Sequence, residues 1–208
     1  NTRLTNNLLA RGYALVAPSG ARTVGSGNGH GWDFYPGWEG RDEIDFLKRV
    51  RDDAAARFDL DPDQAVLAGF SSGGFMVNYL ACAEPQAFTA YAPVSGGFWR
   101  PHPTECAGPV QLFHTHGWRD STVPLEGRIL GAGQFQQGDI FAGLEIWRAA
   151  NQCPDEKVTD FSKTDDFWRR AWSGCAANSA LEFALFPGGH SVPPGWADMV
   201  LDWFEDSL

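Results

Sequence analysis

Apolar and polar residues alternate along this 208-residue chain with two different periods. Short, nearly continuous apolar runs predict buried β-strands at residues 13–17, 65–70, 88–94, 110–116 and 181–186. Apolar residues spaced three or four positions apart predict helices at residues 44–58, 139–150 and 196–204, and a further helix is expected from Gly73 to about Cys82. Strands that alternate with helices are typical of an α/β fold with a mostly parallel central sheet flanked by helices. The length favours a single domain over residues 1–208.

Three connections between these elements are too long to be simple turns. Residues 21–41 are rich in glycine and aromatic residues and are interpreted as a surface loop. Residues 125–139 are rich in glycine and glutamine, and residues 151–178 are polar with interspersed aromatic side chains. The last two segments are therefore candidate lids or loop excursions beside a binding site.

Composition argues against some classes of partner. The formal net charge of −10 repels phosphate backbones, so nucleic acid is not expected to bind. No run of Lys and Arg suggests a membrane-surface patch, and no apolar stretch approaches the roughly 18 residues of a spanning helix. The expected partner is therefore a small-molecule or polymeric substrate rather than nucleic acid or a membrane.

The four cysteines, Cys82, Cys106, Cys153 and Cys175, show no spacing typical of a zinc site. Several pairings are possible, and four reduced, buried thiols are the alternative. Pairing Cys82 with Cys106 and Cys153 with Cys175 is favoured because each pair brackets a short, loop-rich segment. An even number of cysteines without metal spacing favours disulfides and an oxidising compartment, so a secreted or periplasmic location is expected.

The motif Gly69-Phe70-Ser71-Ser72-Gly73 follows a predicted strand and opens a predicted helix. A G-x-S-x-G motif in this context is typical of a nucleophile held on a sharp strand-to-helix turn. Small residues at Gly69 and Gly73 allow strand and helix to approach each other, and the turn lifts the Ser71 hydroxyl above the strand ends. The backbone N–H of Ser72 is then the candidate donor to an oxyanion. An ordinary glycine-rich turn is the alternative.

A serine hydroxyl needs a general base, and in this type of fold the chain order is serine, acid, histidine. Asp120 lies just after the predicted strand 110–116 and is the candidate acid. Its rival is Glu126, which lies further into the loop, and a turn-forming role for Asp120 is the alternative. His190 follows two glycines directly after the last predicted strand, and it is the candidate base.

His114 and His116 alternate at the end of a predicted strand. Two histidines in this arrangement can indicate a metal site, but no third ligand stands at a recognisable spacing. No metal is therefore predicted. Strand packing, or support of Asp120 from behind, is the favoured interpretation of this pair.

Three motifs together resemble a known group of enzymes. They occupy residues 69–76, 116–124 and 188–193, and residues 92–97 are also similar. These stretches resemble the polyhydroxybutyrate depolymerase and feruloyl esterase group of α/β-hydrolases, and the resemblance extends from about residue 8 to the end of the chain. It implies an exported serine esterase that needs no cofactor, with Ser71 as nucleophile, Asp120 as acid and His190 as base.

One motif of that group has no counterpart in residues 1–12. The group carries an H-G-x-x type loop after an early central strand, and this loop supplies a second oxyanion donor. His30-Gly31 follows the predicted strand at 13–17, so its order is wrong. The sequence therefore predicts an upstream segment outside these 208 residues that carries the N-terminal strands of the α/β-hydrolase fold. Without it, the strand at 65–70 would expose backbone and an apolar edge.

The chain has nine tryptophans, and three of them are candidates for the wall of a substrate cleft. Trp118 lies beside Asp120, whereas Trp32 and Trp38 lie in the long loop at 21–41. Aromatic walls suit aryl esters, aliphatic polyester chains or sugars.

The function predicted from these residues is hydrolysis of carboxylic esters through an acyl-serine intermediate. The candidate substrates are hydroxyalkanoate polyesters or oligomers, and feruloyl or other aryl esters. Two alternatives stay open. A relative that kept the cleft but lost turnover would be a binding protein, which the unmatched oxyanion loop favours. A peptidase or thioesterase would use the same three side chains.

Overall fold

A computed structural model describes residues 2–24, 29–154 and 160–207 of the chain. The helices of these residues are α1 (Thr2–Ala10), α2 (Glu43–Phe58), α3 (Ser72–Ala83), α4 (Ile140–Ala150) and α5 (Trp196–Glu205). The strands are β1 (Arg22–Val24), β2 (Gly29–Gly31), β3 (Val66–Phe70), β4 (Ala90–Val94), β5 (Gln111–Gly117), β6 (Ile129–Leu130), β7 (Phe135–Gln136), β8 (Asp160–Thr164), β9 (Phe167–Trp172) and β10 (Ala180–Phe186).

The predicted helices form because each buries apolar side chains, and two of them, α2 and α4, also have a local start signal. The Asp42 carboxylate accepts the Asp45 N–H at 3.0 Å at the start of α2, and the Asp139 carboxylate accepts the Ala142 N–H at 2.9 Å at the start of α4. Such caps satisfy amide groups that the helix itself leaves unpaired. The bounds of α2 to α5 lie within two residues of those predicted from the sequence.

The main sheet has six strands in the order β3-β4-β5-β10-β9-β8. Strands β3, β4, β5 and β10 run parallel, whereas β9 and β8 are antiparallel additions. The predicted α/β fold with a mostly parallel sheet is therefore confirmed. The inner parallel strands are covered on both faces, which explains why their sequences are continuous apolar runs rather than alternating ones.

The parallel strands end at one edge of the sheet. Phe70 is aligned with Val94, and Phe186 is aligned with Gly117. The loops that follow β3, β5 and β10 therefore emerge side by side, which is where open α/β sheets place their ligand sites.

Two apolar layers cover the sheet. One contains α3 and α4, which are joined by a hydrogen bond from Trp147 Nε1 to Asn78 Oδ1 of 3.0 Å. The other contains α5, whose buried stripe includes the predicted apolar positions Trp196, Met199, Val200, Trp203 and Phe204. Trp196 and Trp203 are thus core residues.

The segment at 13–17 is not a strand, contrary to the sequence-based prediction. Residues 13–20 have no regular secondary structure, and Leu15 and Val16 remain nearly half exposed. A strand needs a neighbour to pair with its backbone, but a cavity of about 770 Å³ is lined by both this segment and β3. Strand β3 accordingly forms the edge of the sheet and is only partly buried.

Two of the predicted loops contain secondary structure. The 21–41 loop carries the antiparallel pair β1 and β2. The 151–178 excursion carries the hairpin β8–β9, which widens the main sheet beyond β10; its residues 155–159 lie outside the described part of the chain. A lid function for 125–139 and 151–178 stays a prediction.

The structure links Cys82 to Cys106 and Cys153 to Cys175, the pairing that the sequence favoured. The first bond ties the end of α3 to the loop before β5, and the second ties the end of α4 to the loop before β10. Within the described ranges, no helix combines the length and the apolar character that a membrane crossing requires.

Candidate active site

Ser71 occupies a strained turn between β3 and α3. Its φ of 56° and ψ of −115° lie outside the ordinary regions for a residue with a side chain. The Val94 carbonyl accepts its N–H at 3.0 Å. A Cβ on Gly69 would lie 2.3 Å from the Gly73 carbonyl oxygen, so the close approach of strand and helix requires glycine at 69. At Gly73 itself a Cβ would meet only Trp32 Nε1 at 3.7 Å, so the sequence-based demand for a small residue there was too strong.

The side chains of Ser71, His190 and Asp120 form one line of hydrogen bonds. His190 Nε2 lies 2.8 Å from Ser71 Oγ, and His190 Nδ1 lies 2.8 Å from Asp120 Oδ2. An ionised carboxylate only accepts, so Nδ1 carries the proton and Nε2 is free to accept from the serine hydroxyl. This is the geometry of an activated nucleophile, its base and an orienting acid.

The Asp120 carboxylate is buried and fully engaged. Its Oδ1 accepts the N–H groups of Thr122 at 2.9 Å and Val123 at 2.8 Å, and its Oδ2 accepts from His190. Burial raises the pKa of Asp120, but the hydrogen bonds from Val123 and His190, together with the nearby Ser95 hydroxyl, outweigh it, and the pKa lies below its usual value. The acid is therefore ionised at neutral pH. The turn-forming role that was its alternative is real and coexists with the bond to His190.

The loop that carries His190 is fixed to the loop that carries Asp120. The Gly188 carbonyl accepts the Arg119 N–H at 3.0 Å, and the Phe186 carbonyl accepts the Trp118 N–H at 3.1 Å. On the other side, the Phe70 ring lies 4.6 Å from the imidazole. The base is therefore held both by the backbone of β5 and β10 and by an aromatic ring from β3.

Ser72 is the first residue of α3, where backbone amides lack partners within the helix. Its position agrees with that of an oxyanion donor, and this role stays a prediction. Its hydroxyl accepts the backbone N–H of Trp32 at 3.3 Å. The 21–41 loop is thereby attached beside the nucleophile.

The three candidate tryptophans have different surroundings. Trp32 lies next to the nucleophile helix, as the contacts with Ser72 and Gly73 show. Trp118 packs against Trp168 with ring centroids 4.4 Å apart, and Trp168 is half exposed. Trp38 instead belongs to an aromatic cluster, and the Arg22 guanidinium lies 3.8 Å from its ring centre. The other rings that contact Trp38 are Phe34, Tyr35, Trp99 and Phe135.

Sequence reasoning did not single out Trp168, the Phe70 ring or the Val123 amide as parts of the site. The G-x-S-x-G motif allows any residue before the serine, here Phe70. It says nothing about the third residue after the acid, here Val123. In the described part of the chain, no group of three or more His, Cys, Asp or Glu side chains is placed to hold a metal ion. His114 and His116 bond to each other at 3.1 Å instead.

Comparison with known proteins finds sequence similarity to esterases. A model of the prolyl oligopeptidase family matches residues 2–98, a segment that ends before Asp120 and His190. Feruloyl esterase C of Emericella nidulans is 27% identical over 189 residues, which cover 89% of this chain and 60% of that protein. Feruloyl esterase B of Piromyces equi is 28% identical over 143 residues, which cover 62% and 25% respectively. The chain thus spans about 60% of the length of the feruloyl esterases C that it matches, and the resemblance to the feruloyl esterase group is confirmed.

Solved structures show the fold. The carboxylesterase of Bacillus cereus superposes with a TM-score of 0.59 at 13% identity, over 99% of this chain and 81% of that one. The acetyl xylan esterase of Aspergillus awamori superposes with a TM-score of 0.56 at 12% identity, over 78% and 66% respectively. The chain therefore has the α/β-hydrolase fold that the motifs implied.

Proposed function

We propose that this chain is the catalytic part of a serine carboxylic ester hydrolase. The observation that carries the proposal is the pair of 2.8 Å hydrogen bonds that join Ser71 Oγ to His190 Nε2 and His190 Nδ1 to Asp120 Oδ2. The similarity to feruloyl esterases supports it independently, because those proteins share sequence over 89% of this chain.

In the proposed reaction, Ser71 Oγ attacks the ester carbonyl carbon while His190 Nε2 takes the hydroxyl proton. The ionised Asp120 keeps the imidazole oriented and stabilises its charged form, and the Ser72 N–H donates to the oxyanion. The ester C–O bond then breaks, and the alcohol leaves with the proton from His190. Water attacks the acyl-serine by the same route, so that the acid is released and the Ser71 hydroxyl is restored.

The substrate class that we propose is an aryl ester such as a feruloyl ester, or a hydroxyalkanoate ester. Trp32 beside α3, and Trp118 packed against the half-exposed Trp168, supply flat apolar surfaces that suit an aromatic acyl group or an apolar polyester chain. The feruloyl esterase relatives favour the aryl ester. We further propose that the protein works outside the cell or in the periplasm, since both cysteine pairs are disulfides.

A fluorophosphonate probe tests the nucleophile. The Ser71 oxygen should displace fluoride from phosphorus and become labelled, and Ser71→Ala should abolish the label. Ser162→Ala, exposed on β8, is the matched control and should label like the parent. An unlabelled Ser71 after long exposure would refute the enzyme and favour the binding-protein alternative.

A substrate panel tests the reaction class. We expect turnover of p-nitrophenyl butyrate together with methyl ferulate or hydroxybutyrate oligomers. The prolyl oligopeptidase match over residues 2–98 makes a peptidase the second candidate, so peptides and thioesters belong in the same panel. Cleavage of peptides without cleavage of esters would overturn the ester assignment.

A further inference from the structure

Two buried histidines lie behind Asp120 and take no part in the proposed proton transfer. His114 and His116 point from the same face of β5, because residues two apart in a strand share a face. Both are essentially inaccessible to solvent. His114 Nε2 lies 3.1 Å from His116 Nδ1, and His116 Nε2 lies 2.8 Å from the Val123 carbonyl oxygen.

The Val123 carbonyl oxygen, the acceptor at the end of this row of hydrogen bonds, fixes the tautomer of both rings. A carbonyl oxygen only accepts, so His116 Nε2 must carry a proton toward Val123. Burial lowers the pKa of His116, and it lowers that of His114 well below its usual value, so both rings are neutral at pH 7. The unprotonated Nδ1 of His116 then accepts, and His114 donates to it through Nε2–H.

Val123 connects this row of hydrogen bonds to Asp120. Its carbonyl accepts from His116, and its N–H donates to Asp120 Oδ1 at 2.8 Å. The same peptide segment is therefore held from both sides. His116 Nε2 lies 3.8 Å from Asp120 Oδ2, beyond hydrogen-bond reach. A neutral ring at that distance leaves Oδ2 to His190, whereas a charged ring would compete for it.

Building on the proposed function, we infer that His116 is a positioning residue for ester hydrolysis: hydrogen-bonded to His114 through Nδ1, it anchors the Val123 carbonyl through Nε2–H and thereby orients the Asp120 carboxylate toward His190. The residue touches neither substrate nor Ser71. Its effect should therefore fall on kcat, through the acid and the base, and leave KM nearly unchanged.

A matched pair of substitutions separates this role from packing. Gln is close to His in reach and keeps an N–H for the Val123 carbonyl, whereas Met has a similar length and no donor. With p-nitrophenyl butyrate, His116→Met should lower kcat by about tenfold, the equivalent of one hydrogen bond of ordinary strength, and His116→Gln should recover most of the loss. Equal kcat values for the Met and Gln variants, or a loss confined to KM, would overturn the inference.

A spectroscopic measurement keeps the test independent of turnover. The proton on His190 Nδ1, bonded to Asp120, should give a downfield ¹H NMR signal in the full chain. His116→Met should shift or broaden this signal, and His116→Gln should preserve it. An unchanged signal in the Met variant would overturn the positioning role. Absence of esterase activity in the parent, with the signal still responding to residue 116, would instead refute only the proposed function.

The pair His114→Met and His114→Gln repeats the design one hydrogen bond further away, in case His116→Met fails to fold. Met at 114 removes the N–H that bonds to His116 Nδ1 and leaves this buried nitrogen unpaired, so we expect a smaller loss of kcat than at 116, again recovered by Gln. Indistinguishable activity and His190 signals for the two variants at 114 would overturn the inference.

Discussion

Ser71 and its two hydrogen-bonded partners, His190 and Asp120, are held by regions of very different construction. Strands β5 and β10, which lead to Asp120 and His190, are buried at six of their seven positions each, and the loops beyond them bond to each other. Strand β3, which leads to Ser71, is an edge strand with no fully buried residue and a cavity beside it. The proposed acid and base thus follow two inner strands that pair with each other, whereas Ser71 follows an edge strand that, among the described strands, pairs only with β4.

This contrast predicts that substitutions near β3 and substitutions near β5 and β10 have different effects. Substitutions near β5 and β10 should reduce turnover before they reduce stability, because many other contacts remain around these strands. Damage on the β3 side should reduce stability, because the strained turn at Ser71 depends on few neighbours.

The largest effect is expected from Asp120→Asn. The amide cannot hold the imidazole in the required tautomer or stabilise its charge, so kcat should fall by on the order of 10⁴, measured with p-nitrophenyl butyrate. The thermal midpoint should change little. Glu126→Gln, at an exposed neighbouring carboxylate, should keep nearly full activity. Comparable losses in both variants would show that Asp120 is not the acid.

Removal of each disulfide compares the two halves directly. Cys82–Cys106 lies on the nucleophile side and spans 24 residues, whereas Cys153–Cys175 lies on the β10 side and spans 22. Loop length alone predicts that each Cys→Ser pair lowers the free energy of unfolding by about 3 kcal/mol, measured by urea denaturation. A clearly larger loss for Cys82/Cys106 would confirm that the β3 side limits stability, and a clearly larger loss for Cys153/Cys175 would contradict the proposed difference.

Gly69→Ala and Gly73→Ala test the turn around Ser71. The Cβ at 69 would press on the Gly73 carbonyl oxygen at 2.3 Å, and the Cβ at 73 would make only an ordinary contact with Trp32. We expect Gly69→Ala to cost about 2 kcal/mol of stability and Gly73→Ala to be close to neutral, both by thermal denaturation. Equal effects would mean that the turn relaxes more freely than its geometry indicates.

The smallest effect concerns pH and the buried histidines. Unfolded histidine binds a proton near pH 6.5, whereas burial lowers the pKa of His114 in the folded state. The unfolded state therefore binds more protons as pH falls below 6.5, and stability should decrease by at most about 1.4 kcal/mol per pH unit for this group. His114→Gln should flatten the thermal midpoint between pH 7 and pH 5. A residual slope is expected from His116 and His102, whose pKa values burial also lowers. An unchanged slope would show that His114 is not the source.

The sequence allowed the convergence of Ser71, Asp120 and His190 to be predicted better than the edges of the fold. Ser71, Asp120 and His190 follow strands whose apolar runs are unmistakable, and parallel strands deliver their loops to one edge whatever the details of the sheet. The caps at Asp42 and Asp139 likewise act locally and can be identified from a few residues.

Features that depend on a distant partner could not be predicted in this way. The run at 13–17 has strand composition but no neighbour to pair with among the described residues. Strand β8 was missed because its side chains are nearly all exposed and polar residues dominate it; only pairing with β9 makes it a strand. The bond from His116 to the Val123 carbonyl depends on how the turn after Asp120 folds back, which no spacing rule specifies.

At Ser71 the positive φ disfavours any residue with a side chain, whereas the proposed reaction requires a hydroxyl at this position. A glycine there would adopt the same turn without a steric penalty, so the backbone conformation alone would favour glycine over serine at this position. A hydroxyl at a strained backbone position is expected where the side chain itself is needed for the proposed reaction. Any attempt to stabilise this protein by consensus or computed substitutions should therefore leave residue 71 unchanged.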